Sequence, residues 1–85
     1  MELFFAKRFS KDIDSIIHLS NIKKQLSELV AELKIARTLS DIRNVRKIEG
    51  YDSYYRIRVG DYRVGIKAEG NRIEMIRFLY RKDIY

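Results

Sequence analysis

Apolar residues recur along this chain at two different periods, and the change of period separates a helical half from a sheet half. Leu3-Phe4-Phe5-Ala6 is apolar on both faces, the pattern of a buried or nearly buried first strand. Ser10 is placed to cap a helix, with Asp12 in the first turn, where negative charge is favoured. Ile13, Ile16 and Ile17 then fall at helical spacing and carry that helix to about His18, whose position at its end suits a capping or surface role. Ser20-Asn21 restarts the chain as a second helix. Its stripe of Ile22, Leu26, Leu29, Val30, Leu33 and Ala36 faces a core, while Lys23, Lys24, Glu28, Glu32 and Lys34 take the polar positions. Two helices with so short a link predict an antiparallel hairpin laid over a sheet.

Period two takes over in the second half. Leu39-Ser40-Asp41-Ile42 reads as a break and a brief capped turn, followed by a connector from Asn44 to Gly50. Arg43, Arg46 and Lys47, just ahead of the hairpin, either extend a basic face or are simply solvated. After a turn at Gly50-Tyr51-Asp52-Ser53 comes a hairpin, Tyr54 to Lys67, turning at Gly60-Asp61. Alternation gives Tyr55, Ile57, Val59, Tyr62, Val64 and Ile66 to one face, and Tyr54, Arg56, Arg58, Arg63, Gly65 and Lys67 to the other. Glu69-Gly70-Asn71 turns the chain into a last strand, Arg72 to about Tyr80. Both its sides carry apolar groups, which predicts an interior strand. Strict alternation would group Ile73, Met75, Arg77 and Leu79 against Glu74, Ile76, Phe78 and Tyr80, and a bulge would reverse that grouping partway. The expected fold is a single α+β domain over residues 1–85, a helical hairpin on one face of a mainly antiparallel sheet in the order β-α-α-β-β-β.

Charge changes the picture from fold to function. The net charge is +6, and residues 41–85 hold 11 Lys and Arg against 7 Asp and Glu. Four cations on one hairpin face repel one another unless a negative partner sits there, which points to nucleic acid or an acidic protein. The alternative is the solvated side of a half-buried sheet. No cysteine is present and His18 is the one histidine, so thiolate and histidine-cluster metal sites are excluded, and no cofactor motif is found. No apolar run reaches a membrane span and the N-terminal residues do not read as a secretory signal, so a cytoplasmic protein is expected.

The segment Gly50-Tyr51-Asp52-Ser53-Tyr54-Tyr55-Arg56-Ile57-Arg58-Val59-Gly60-Asp61-Tyr62-Arg63 and the ending Arg77-Phe78-Leu79-Tyr80-Arg81-Lys82-Asp83-Ile84-Tyr85 resemble the RelE/ParE superfamily, toxins of type II toxin–antitoxin systems. The likeness runs over essentially the whole chain. It implies a RelE-like fold whose sheet face away from the helices is the working surface. RelE-like members bind messenger RNA in the ribosomal A site and cut it by attack of the 2′-hydroxyl on the adjacent phosphate without a metal, inhibiting translation. ParE-like members poison DNA gyrase instead. A cognate antitoxin wraps the toxin in either case; here it would be acidic and would cover Arg56, Arg58 and Arg63 or displace the tail.

By that resemblance Arg56 and Arg58 stand where relatives carry basic residues on the first hairpin strand, and Arg63 matches the arginine after the turn. Arg81 and Lys82 fall near further basic residues and Tyr85 matches a tail tyrosine. Guanidinium groups grip phosphate bidentately, which makes Arg63 and Arg81 the preferred transition-state stabilisers. Tyr54, Tyr80 or Tyr85 could stack on a base, and Arg46, Lys47, Lys67 and Lys82 would add contacts to RNA. The sequence departs from many relatives at Tyr80, where they have histidine, and from some at Arg56 and Arg58, where they have lysine. Because arginine does not surrender its proton, the base is left to Tyr80, Tyr85, Lys67, Lys82 or water.

Overall fold

The computed structural model describes residues 1–16 and 20–82. Strand β1 (Glu2–Phe5) is followed by helices α1 (Lys7–Ile16) and α2 (Ser20–Ile35). After a short 3-10 turn at Leu39–Asp41 come β2 (Val45–Lys47), β3 (Tyr54–Val59), β4 (Tyr62–Glu69) and β5 (Arg72–Tyr80). One sheet takes all five strands in the order β1-β5-β4-β3-β2, antiparallel throughout except that β1 runs parallel to β5. The expected α+β architecture is present, with one strand more than the connector suggested. Val45–Lys47 is only three residues long and carries two cations, so periodicity gave no signal for it.

A single core lies between the helices and one face of the sheet. Phe9, Leu29, Leu33 and Ala36 meet Ile57, Val59, Val64, Ile66, Ile73, Met75 and Phe78, all buried. The α2 stripe and the hairpin's apolar face are therefore as the spacing requires. Two local expectations change. Helix α1 begins at Lys7, so Ser10 lies within it rather than capping it. Strand β1 is an edge, not an interior strand, and its aromatics Phe4 and Phe5 remain 40% and 50% exposed. An apolar run that short reads the same whether one or both of its faces are covered. The expected end of α1 at His18 and the link between the helices lie outside the described residues.

The hairpin turns determine register. Val59 pairs with Tyr62 across Gly60-Asp61, and Gly60 has φ +58°, a backbone angle that glycine adopts without penalty. Strand β5 pairs Arg77 with Gly65 but Met75 with Ile66, so Ile76 is an extra, bulged residue. The bulge turns the alternation over. Ile73 and Met75 before it, and Phe78 and Tyr80 after it, all face the helices, while Arg77 and Leu79 join the open face.

Where the sheet loses its β1 neighbour, Asp12 takes over as acceptor for β5. Its carboxylate accepts the Phe78 N–H at 2.9 Å and is gripped by Arg77 through Nε at 2.8 Å and Nη2 at 3.3 Å. Burial pushes the Asp12 carboxyl up, but the Arg77 hydrogen bond, the Phe78 N–H and the charges of Arg77 and Arg8 outweigh it and hold the group below its ordinary value. The same hydrogen bond raises the already high pKa of Arg77.

Candidate nucleic-acid interface

The open face of the sheet is built by cross-strand pairs whose side chains share a side. Arg46 of β2 lies opposite Arg56 of β3, which lies opposite Gly65 of β4, which lies opposite Arg77 of β5. One pair nearer the Gly60 turn, Arg58 faces Arg63 and Arg63 faces Leu79; one pair further away, Tyr54 faces Lys67 and Lys67 faces Glu74. Asn44, Arg46, Arg56, Arg58 and Arg63 line a hollow of about 280 Å³. Among the described residues the ion pairs are Asp12–Arg77 and Lys67–Glu69, so no described carboxylate lies within 4.0 Å of the Arg46, Arg56, Arg58 or Arg63 guanidinium nitrogens. Four guanidinium groups thus border one hollow without a counter-charge among the described residues.

Each arginine is held differently. Arg63 Nη1 donates to the carbonyls of Gly60 at 3.0 Å and Tyr62 at 2.8 Å, which fixes the head while its other nitrogens stay available. Arg58 is exposed, and its backbone N–H is anchored to the Asn44 carbonyl at 3.1 Å. Arg56 is half-buried and lies opposite Gly65, a buried strand position without a side chain between Arg56 and Arg77. The tail begins beside this group, because the Arg81 N–H donates to the Asp61 carbonyl at 2.8 Å. Arg81 also lies 5.9 Å from the Tyr80 ring centre.

The family model for "ParE toxin of type II toxin-antitoxin system, parDE" matches residues 3–85. The chain belongs to this toxin family. It is 41% identical to Toxin RelE3 of Methanocaldococcus jannaschii, an alignment covering all of this chain and 96% of that protein. It superposes on the toxin–antitoxin complex RelB-RelE from Methanococcus jannaschii with a TM-score of 0.84 at 39% identity, covering 96% and 94% of the two chains. The YoeB-YefM complex from Staphylococcus aureus matches at a TM-score of 0.74 with 18% identity over 94% and 95%, a likeness of fold. This toxin therefore has the RelE-like architecture that the two quoted segments implied.

Not every residue singled out from the sequence comes to the open face. Arg46, Arg56, Arg58, Arg63, Tyr54 and Lys67 do, with Arg81 at its Gly60 end and exposed Lys82 next to it in sequence. Lys47 pairs with Tyr55 and so points to the helix side. Tyr80 also lies on the helix side. It pairs with Tyr62, whose ring it meets edge-on at 5.6 Å, and that ring stacks on Phe78 at 5.3 Å. The bulge at Ile76 separates Tyr80 from the arginines, and nothing in the residue pattern fixed where it falls. Arg43 faces away too, lining a hollow with Glu28 and Glu32 of α2. Tyr85 lies outside the described residues. Gly65 is on the face that alternation gives it, and a glycine flanked by Val64 and Ile66 in a strand is itself a sign of close packing. One contributor went unnoticed in the sequence. Tyr51, edge-on to Tyr54 at 6.2 Å, sits in a turn and gave no periodic signal.

Proposed function

We propose that this toxin is a metal-independent endoribonuclease that cuts messenger RNA on the ribosome and so stops translation in the cytoplasm. The observation that carries the reading is the cluster of Arg46, Arg56, Arg58 and Arg63 on the open face with no carboxylate partner among the described residues. Attack of a ribose 2′-oxygen on the adjacent phosphorus breaks the bond to the 5′-oxygen and leaves a 2′,3′-cyclic phosphate. The crowded intermediate carries extra negative charge on its non-bridging oxygens, which pre-positioned guanidinium groups stabilise without reorganising. Arg63, with one nitrogen already committed to two carbonyls, meets that requirement best, and Arg58 faces it across the strand pair. Arg56 and Arg81 would hold the flanking backbone. The hydroxyl proton goes to water or to one of Lys67, Lys82 and Tyr85, and the departing 5′-oxygen takes a proton from water or another of these groups. Tyr80 is set aside because it faces the helices.

The likeness to a RelB-RelE complex supports a cognate antitoxin as partner, an acidic chain that covers the same arginines. Translation in vitro with transcript mapping tests the whole reading. Purified toxin is expected to halt synthesis and yield transcripts cut at ribosome-occupied codons, and Arg63→Ala to relieve both. Halted growth with intact transcripts and accumulating gyrase-cleaved DNA would select a gyrase-poisoning toxin instead, a reading favoured by the lack, among the described residues, of a general base fixed beside the arginines.

A further inference from the structure

Beyond the basic hollow, the open face ends in an aromatic corner that the cleavage chemistry does not use. Tyr51 is 63% exposed and meets Tyr54 at 72° between ring planes, so the two rings form two sides of a corner. Ile48 and Glu49 complete an apolar groove of about 680 Å³ there, with Glu49 exposed at its edge. The corner is shaped by Gly50, whose φ of +82° reverses the chain, and by the Tyr51 N–H on the Ile48 carbonyl at 3.4 Å. Its position relative to the arginines is set by the strand. Tyr54 and Arg56 are two residues apart on one face of β3, a separation of roughly 6.6 Å, which one nucleotide of an extended strand bridges. Lys67, opposite Tyr54 on β4 and paired with Glu69 at 3.6 Å, lies 5.7 Å from the Tyr54 ring centre and places a cation beside the corner.

We propose that this corner is a base-recognition subsite that takes one unpaired guanine of single-stranded RNA, with the base stacked on Tyr51 and its Watson–Crick edge turned to Glu49. The proposal rests on the RNA-binding reading above and adds to it the choice of base. Three features argue for this occupant. A freely exposed aromatic ring is what unstacked bases bind. The corner continues the surface assigned to the phosphate backbone, so a base entering it keeps its own phosphate within reach of Lys67 and Arg56. A carboxylate accepts hydrogen bonds and donates none, and guanine alone presents two adjacent N–H donors, N1–H and the N2 amine, on its pairing edge. Adenine would set its N1 lone pair against Glu49. Cytosine and uracil offer one donor each.

Fluorescence anisotropy with a labelled five-nucleotide RNA tests this, using sequences that differ only in one central base: guanine, inosine, adenine or uracil. The wild-type toxin is expected to bind the guanine RNA about tenfold tighter than the inosine RNA, which lacks the N2 amine. Glu49→Gln is expected to erase that preference, and Tyr51→Ala to weaken guanine binding about tenfold, while Tyr51→Phe binds as wild type. Equal affinity for all four RNAs, or unchanged binding by Tyr51→Ala, overturns the subsite. Arg58→Ala serves as the separating control. If it weakens every RNA while Tyr51→Ala weakens none, the subsite fails and the RNA-binding face stands. If neither variant nor the base identity matters, the RNA-binding reading fails as well.

Discussion

At the scale of single residues, Arg63 and Asp12 show how a charged group is made useful or structural by what it touches. Arg63 has one nitrogen spanning two carbonyls of the turn, leaving the rest of a rigid fork to meet phosphate. A lysine there keeps the charge but cannot do both. Arg63→Lys is therefore expected to keep most of the affinity for RNA and to lose about a hundredfold in cleavage rate, measured by transcript cutting beside anisotropy. Arg77, the other guanidinium opposite Gly65, is committed to Asp12 and to the fold. The Asp12 side chain is 13% exposed and its folded pKa is depressed, so its stabilisation is fully present above the ordinary carboxylate value near 3.8 and disappears as pH falls through the lower folded value. Asp12→Ala is expected to cost about 1–3 kcal/mol at pH 7, since the Phe78 N–H loses its acceptor. Asp12→Asn should cost less and show a shallower fall in stability between pH 5 and 2, read from urea unfolding at each pH.

At the scale of elements, the Gly60 turn couples stability to the site. A Cβ on Gly60 would have to accept φ +58° and would lie 3.0 Å from Gln25 Oε1. Gly60→Ala is expected to destabilise by about 1–2 kcal/mol, seen as a lower urea midpoint. It should also slow cleavage, because the Gly60 carbonyl holds Arg63. Gly65→Val makes the complementary test. A β-branched residue suits a strand, but here it puts a side chain between Arg56 and Arg77 on the open face. RNA affinity is expected to fall several-fold while secondary structure, followed by circular dichroism, is retained. The bulge at Ile76 has the widest consequence of any local feature, since it sends Arg77 and Leu79 to the open face and Phe78 and Tyr80 to the core side.

For the molecule as a whole, the sheet acts as a partition. Its apolar face is consumed by the helices, and its other face keeps an excess of guanidinium that the described residues do not neutralise. Arg56, Arg58 and Arg63 together with Arg46 or Arg81 amount to about four phosphate contacts, so log affinity for single-stranded RNA should fall against log salt with a slope near −3, by roughly −0.7 per phosphate. Arg58→Ala should make the slope shallower by roughly 0.7. Anisotropy titrations between low and physiological salt check both. A slope near zero would mean that the open face is not where RNA binds.

The residue pattern alone determined the α2 stripe, the hairpin with its Gly60-Asp61 turn, and the separation of Ile57, Val59, Val64 and Ile66 from Arg56, Arg58 and Arg63. These follow from the helical and strand periods and from turn chemistry, which are local properties of the chain. Only the tertiary structure decided that β1 is an exposed edge, that Val45–Lys47 is a strand placing Arg46 and Lys47 on opposite faces, and that Tyr80 is turned from the arginines while Tyr51 is brought to Tyr54. Each of those depends on which strand lies beside which, and on a single extra residue in β5, and pairing between distant segments leaves no trace in the spacing within any one of them.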